Sequence, residues 1–187
     1  MENTIKKLVL ENEQLAVTIL PELGGKVASF CYKPLDFELA AQSPDGSYRL
    51  PEESVHAPFG KYDASGLDDA FPNIDAAVWE YDGRTLDYPD HGEIWSSVFA
   101  VEDQDENCVR LVFDSERFGY HYEKTLRLVE DQLILDYRIV NSTDKKLPCI
   151  WTFHGLMHYE EDMKLILPED ITEFRNVTDS DVLGKDG

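Results

Sequence analysis

Basic clusters are missing from this chain: 17 Lys and Arg stand against 38 Asp and Glu over 187 residues, a formal charge of −21. Without a basic run to displace condensed counterions, a phosphate backbone or an anionic bilayer finds no electrostatic footing. Nucleic acid and membrane are therefore excluded as expected partners, and the acidity is read as a device for solubility. Cysteine is scarce as well. Cys31, Cys108 and Cys149 are odd in number, far apart and set in apolar, strand-like sequence, which fits neither a disulfide framework nor a zinc template. Reduced core thiols are expected. The opening MENTIKKLVLENEQ has a short apolar run cut off by acidic residues, too brief for a secretory signal or a membrane span, and the expected location is the cytoplasm. Metal-binding spacings such as HxH, HExxH and CxxC are lacking, so no metal centre is expected.

Helical periodicity is the last absence, and β-alternation takes its place. Leu15, Val17 and Ile19 alternate, PELGG punctuates, and KVASFCY resumes, the pattern of a hairpin whose glycines take positive φ. Farther on, CVRLVFDS, YHYEKTLRLV, QLILDYRIVN and PCIWTFHGLM follow one another across short turn signals. They predict four consecutive antiparallel strands. In the second of them Tyr120, Tyr122, Leu126 and Leu128 share one parity while His121, Glu123, Thr125 and Arg127 share the other, one apolar face and one polar. With 42% hydrophobic residues, nine Phe and nine Tyr, the chain fills one core. The expectation is a single all-β domain over residues 1–187, built of stacked antiparallel sheets. Residues 41–76, rich in Pro, Gly, Ser and Asp but anchored by Phe59, Tyr62 and Phe71, read as a long loop folded over a pocket.

Of the five histidines, His56, His91, His121, His154 and His158, two are conspicuous. His154 shares strand parity with Ile150 and Thr152, so its imidazole leaves the face to which Trp151 and Phe153 point. His91 sits between a carboxylate and a glycine in YPDHGEIWS. Either alone is ordinarily a structural residue.

Four fragments in this order, LAVTILPELGGKVASFCYK, GLDDAFPNI, YPDHGEIWS and LILDYRIVNSTDKKLPCIWTFHGLM, resemble the aldose 1-epimerase (galactose mutarotase) family, in particular its divergent branch near the hexose-6-phosphate epimerases. The resemblance implies a β-supersandwich and exchange of the α and β anomers of a free hexose or related sugar, with no cofactor. In that family a glutamate takes the proton of the C1 hydroxyl while a histidine protonates the ring oxygen. Carried over, His154 is the general acid and His91 the second active-site histidine, and the two imidazoles are expected to converge. The segment HGLMH stands where the family has a histidine followed by proline or an aromatic pair. The chain resembles the amino-terminal two-thirds of the fold, so the family's glutamate is expected beyond Gly187, and the 187-residue chain is expected to be a poor mutarotase. Glu93, Asp68 and Asp69 are the local carboxylates for the sugar, Trp95, with Trp79 and Trp151, the surface for its apolar face, and Arg84, with Arg117 and Arg127, the cation for a phosphate. A non-catalytic carbohydrate-binding β-sandwich is the alternative, and the oligomeric state is left unassigned.

Overall fold

The computed structural model describes residues 5–48, 58–62, 65–173, 175–176, 179–182 and 184–185. His56 and part of the expected pocket loop lie outside them. Among the described residues twelve strands build the fold: β1 (Leu8–Glu11), β2 (Leu15–Leu20), β3 (Lys26–Tyr32), β4 (Phe37–Glu38), β5 (Leu67–Ala70), β6 (Ala77–Tyr81), β7 (Arg84–Tyr88), β8 (Ala100–Gln104), β9 (Cys108–Asp114), β10 (Tyr120–Val129), β11 (Gln132–Asn141) and β12 (Thr152–Gly155). Among the described residues there is no α-helix, and no helix is long and apolar enough to cross a membrane. The all-β expectation holds.

One sheet has the order β1-β2-β3-β5-β12 with β4 added beside β3; the second runs β11-β10-β9-β8; β6 and β7 form a separate hairpin. Alternation explains how the two larger sheets meet. Leu15, Val17 and Ile19 of β2 and Val27 of β3 are buried against Val109 and Leu111 of β9 and Tyr120, Tyr122 and Leu126 of β10 in one core. Each large side chain removed from water there contributes about 1.5–3 kcal/mol. The expected opening hairpin is β2 and β3, and Gly24 and Gly25 between them hold φ of 65° and 66°, a region closed to most side chains.

Three expectations are corrected. The first three of the four predicted strands form β9, β10 and β11, but the fourth, β12, pairs with β5 of the other sheet. Periodicity gives a strand its faces and is silent on its neighbour, and the stretch from Ser142 to Trp151, carrying Pro148, takes the chain across. The segment read as loop contains β5, whose LDDA is buried at all four positions. Two adjacent aspartates argue against a strand by propensity; here each has a buried lysine opposite it. Finally, the cysteines are free but not core residues: Cys31 and Cys108 are half-buried and Cys149 is exposed.

Candidate active site

The pairing of β5 with β12 sets the site. In that ladder His154 stands opposite Asp68, and Phe153 opposite Asp69, so the two aspartates send their side chains to opposite faces of the sheet. Asp69 turns into the sandwich, where it accepts hydrogen bonds from Lys124 Nζ at 2.7 Å and Tyr137 Oη at 2.8 Å. Trp151 on the inward parity of the β12 segment donates from Nε1 to Tyr122 Oη at 2.9 Å. Asp68 and His154 share the outer face. There Lys26 Nζ lies 3.0 Å from Asp68 Oδ2, both side chains 3% exposed, and also donates to the Ser65 carbonyl at 2.8 Å.

His91 arrives from a tight turn between β7 and β8. Its φ of 57° and that of Gly92 at 72° place two successive residues in the left-handed region, which costs a non-glycine residue about 1 kcal/mol or more. Backbone bonds offset that strain: His91 N–H donates to the Ile74 carbonyl at 2.5 Å and Glu93 N–H to the Phe71 carbonyl at 3.0 Å. Gly92 is required twice over, because a Cβ there would overlap the Phe71 carbonyl. The turn delivers the His91 ring to His154, with centroids 4.9 Å apart and planes at 86°.

Aromatic side chains frame the pair. Phe59 stacks on His91 at 4.4 Å and meets His154 edge-on at 5.0 Å and Trp95 edge-on at 5.1 Å. Tyr62 lies 5.9 Å from the Trp95 ring. Asp90 ties these pieces together: its Oδ1 is 2.8 Å from His91 Nδ1, its Oδ2 accepts the Phe59 N–H at 2.8 Å, and its carbonyl accepts Trp95 Nε1–H at 3.0 Å. His154 Nδ1 is buried without a hydrogen-bond partner, which leaves Nε2 as the ring nitrogen able to address a ligand. Burial, the neighbouring His91 and the Lys26 cation all push the His154 pKa below its usual value, burial most strongly.

The structure thus gathers His91, His154, Asp68 and Trp95 in one place and leaves other candidates elsewhere. Glu93 does not share a strand face with His91, because the turn is not extended; its carboxylate accepts the Ser115 hydroxyl at 2.5 Å. Asp69 is inside the sandwich. Arg84 sits at the tip of the β6–β7 hairpin and donates to the Lys146 carbonyl at 2.5 Å. Trp79 packs on Tyr81 of that hairpin, Arg117 engages the Asp87 carbonyl, and Arg127 pairs with Asp136. Sequence reading missed Asp90 and Lys26. The fragment PDHG carried a signal for the first, since a carboxylate next to a histidine is within reach of its Nδ1; for Lys26, next to a double glycine, no local signal existed.

Asp68 gives a pH test of this arrangement. Burial lifts its carboxyl from 3.8 to about 7, against the opposing pull of Lys26. A folded-state pKa above the unfolded one means stability that is complete below about pH 4 and lost as pH rises through 7. Asp68→Asn should therefore become favourable relative to the parent as pH rises from 4 to 7.5, by a few kcal/mol at about 1.4 kcal/mol per pH unit. Urea unfolding of both proteins across that range checks it. A stability difference that stays constant with pH would overturn the placement of Asp68 as a buried carboxyl held above its usual pKa.

No protein-family model matches the sequence, and no curated protein matches it. Solved structures do. The chain superposes on a galactose mutarotase-like protein from Lactobacillus casei with a TM-score of 0.65 and 18% identity, covering 81% of this chain and 50% of that one. It is similar to a galactose mutarotase related enzyme from Lactobacillus acidophilus (TM-score 0.66, 18% identity, 91% of this chain and 52% of that one). An aldose epimerase homologue from C. elegans gives a TM-score of 0.56 and 14% identity over 83% of this chain and 51% of that one. The chain spans about half the length of these structures. Two antiparallel sheets in this order, matched over most of the chain, make this a galactose mutarotase-like fold.

Proposed function

We propose that the chain binds a hexose at the His91–His154 cluster and interconverts its anomers. One observation carries this reading: two imidazoles from distant parts of the chain, 63 positions apart in sequence, meet edge-to-face at 4.9 Å among aromatic rings. Core packing has little use for such a pair, whereas a group that gains and loses a proton near neutrality suits an acetal-like centre. Protonation of the ring oxygen by His154 and transfer of the C1 hydroxyl proton to a general base, a glutamate in the family this chain resembles, break the C1–O5 bond and give the open-chain aldehyde. Rotation about C1–C2 and reclosure yield the other anomer. Phe59 and Trp95 are buried and pack behind the imidazoles as an apolar wall of the cluster, and the likeness in fold to galactose mutarotase-like proteins supports the same chemistry.

A binding module without catalysis is the second reading. It is favoured by the Phe59 ring lying directly on His91, since a covered imidazole is better placed to hold than to turn over a sugar. Saturation-transfer NMR and polarimetry with a panel of aldoses and their 6-phosphates separate the two. Of the 187-residue chain, only slow anomer exchange above the spontaneous rate is expected. Binding without exchange would establish the module, and no binding would sink both readings.

A further inference from the structure

Two adjacent aspartates of β5 each face a buried lysine, and only one of the two pairs is complete. On the inner face Asp69 Oδ2 takes Lys124 and Oδ1 takes the Tyr137 hydroxyl, so neither oxygen is left alone. On the outer face Asp68 Oδ2 lies 3.0 Å from Lys26 Nζ, both side chains 3% exposed, yet it receives no directed hydrogen bond. Directly opposite in the β5–β12 ladder, His154 Nδ1 is also buried without a partner. We propose, resting on the sugar-epimerising reading above, that Asp68, held by Lys26, positions His154 and stores the proton behind it, passing one to Nδ1 as Nε2 gives one to the sugar.

Val27 pairs with Leu67 and His154 with Asp68, which sets Lys26, Asp68 and His154 in one row across β3, β5 and β12. Opposed residues of such a ladder have Cβ atoms about 4.5–5.5 Å apart, within reach of a carboxyl and an imidazole. A carboxyl that keeps its proton is a donor and a bare Nδ1 is an acceptor, so the two unpaired groups are complementary. A neutral ring bare at Nδ1 carries its proton on Nε2. Lys26 is anchored in turn by the Ser65 carbonyl at 2.8 Å. Stability alone does not call for this row, because apolar residues of similar volume often serve as well as a buried ion pair. Burial raises the Asp68 pKa to about 7 and lowers that of His154, which keeps the shared proton on the carboxyl near neutrality. Among the described residues, the charged and titratable groups around the pair are Lys26 on β3, Asp69 on β5, Lys124 on β10, and His91 with Asp90 on the turn after β7.

The transfer balances. The O1 proton goes to the general base, and the electron pair it leaves forms the C1 carbonyl. The C1–O5 bond breaks with its pair on O5, which takes the Nε2 proton, while Nδ1 takes the carboxyl proton of Asp68. The ring passes through its imidazolium form and ends neutral, and the new carboxylate is matched by the Lys26 ammonium. Reclosure returns each proton along the same path.

Imidazole ¹⁵N NMR of the 187-residue chain reads the pair without any sugar. At pH 8 His154 should be bare at Nδ1 and protonated at Nε2, and its Nδ1 signal should inflect near pH 7, where Asp68 titrates. Asp68→Asn, whose amide has no proton to give up, should abolish that inflection. Polarimetry reads the role. Exchange above the spontaneous rate should fall as pH rises through about 7 in the parent, because the store acts only while protonated. In Asp68→Asn that limb should vanish and kcat should drop roughly 10²-fold, the low end of a positioned acid's contribution, with KM little changed. Lys26→Met, lacking a cation to match the carboxylate, should move the limb to higher pH. Circular dichroism confirms that each variant is folded. A parent His154 protonated at Nδ1 at pH 8, an inflection that survives in Asp68→Asn, or an Asp68→Asn rate with the parent's pH limb would overturn the store and leave the sugar reading standing. Hexose binding without anomer exchange would overturn it and leave a binding module, whereas absence of hexose binding would remove the sugar reading and this role together.

Discussion

Asp69→Ala should be the most damaging single substitution in the sandwich, costing about 3–5 kcal/mol. The reason is what it strands. Asp69 accepts the Lys124 ammonium at 2.7 Å, with both side chains 1% exposed, and the Tyr137 hydroxyl at 2.8 Å. Removing the carboxylate leaves a buried charge with no counterion, the case in which breaking an ion pair costs about 3–5 kcal/mol, and orphans a phenol besides. Against a total stability of roughly 5–15 kcal/mol, and at about 2–4 °C per kcal/mol for a chain of this size, Tm should fall by roughly 6–20 °C. Replacing all three groups together (Asp69→Leu, Lys124→Met, Tyr137→Phe) should cost much less, since nothing polar is then left unpaired. Thermal unfolding of the single and triple variants decides the matter. If the triple variant is as destabilised as the single one, the pair is contributing attraction and not merely avoiding an unpaired charge.

The same residues show where sequence reading stops. In β10 the buried parity of Tyr120, Tyr122, Leu126 and Leu128 was legible because period-2 alternation is a property of the strand itself. Lys124 has that apolar parity and is buried, while Glu123 on the polar parity is buried too. Each exception has a partner on another strand, Asp69 for Lys124, and Arg110 with Arg138 for Glu123. Long-range pairing of this kind leaves no local pattern. It is also why β5 was hidden: LDDA is an improbable strand until Lys26 and Lys124 are known to flank it on opposite faces. Of the site, His91 and His154 were legible through their motifs. Glu93 was assigned on the assumption of an extended backbone, and the two left-handed residues before it turn the carboxylate toward Ser115.

On the proposed sugar-epimerising reading, His154→Ala should lower the rate of anomer exchange by roughly 10²–10⁴-fold, the usual contribution of a positioned acid or base, and should leave the fold nearly untouched. The two parts of this expectation have separate causes. For the proposed acid role, His154 has Nε2 to offer to the space it shares with His91, because Nδ1 is buried. Its lowered pKa, owed first to burial and then to His91 and Lys26, makes the protonated ring a more willing donor to O5. It also means that His154 gains its proton only below the ordinary value of 6.5, so the activity that depends on it should grow as pH falls into that range. Structurally, the ring is half-buried and carries an unsatisfied nitrogen, so its removal relieves a cost as well as losing packing with Phe59. The linkage has a definite sign: a depressed histidine pKa gives stability that is present above about 6.5 and lost as pH falls through the folded-state value. His154→Ala should flatten that acid-side loss. Polarimetry, hexose titration and urea unfolding between pH 5 and 8 measure all three effects on the same two proteins. An unchanged rate would refute His154 as the acid, and a rate loss matched by loss of hexose binding would make it a sugar ligand instead.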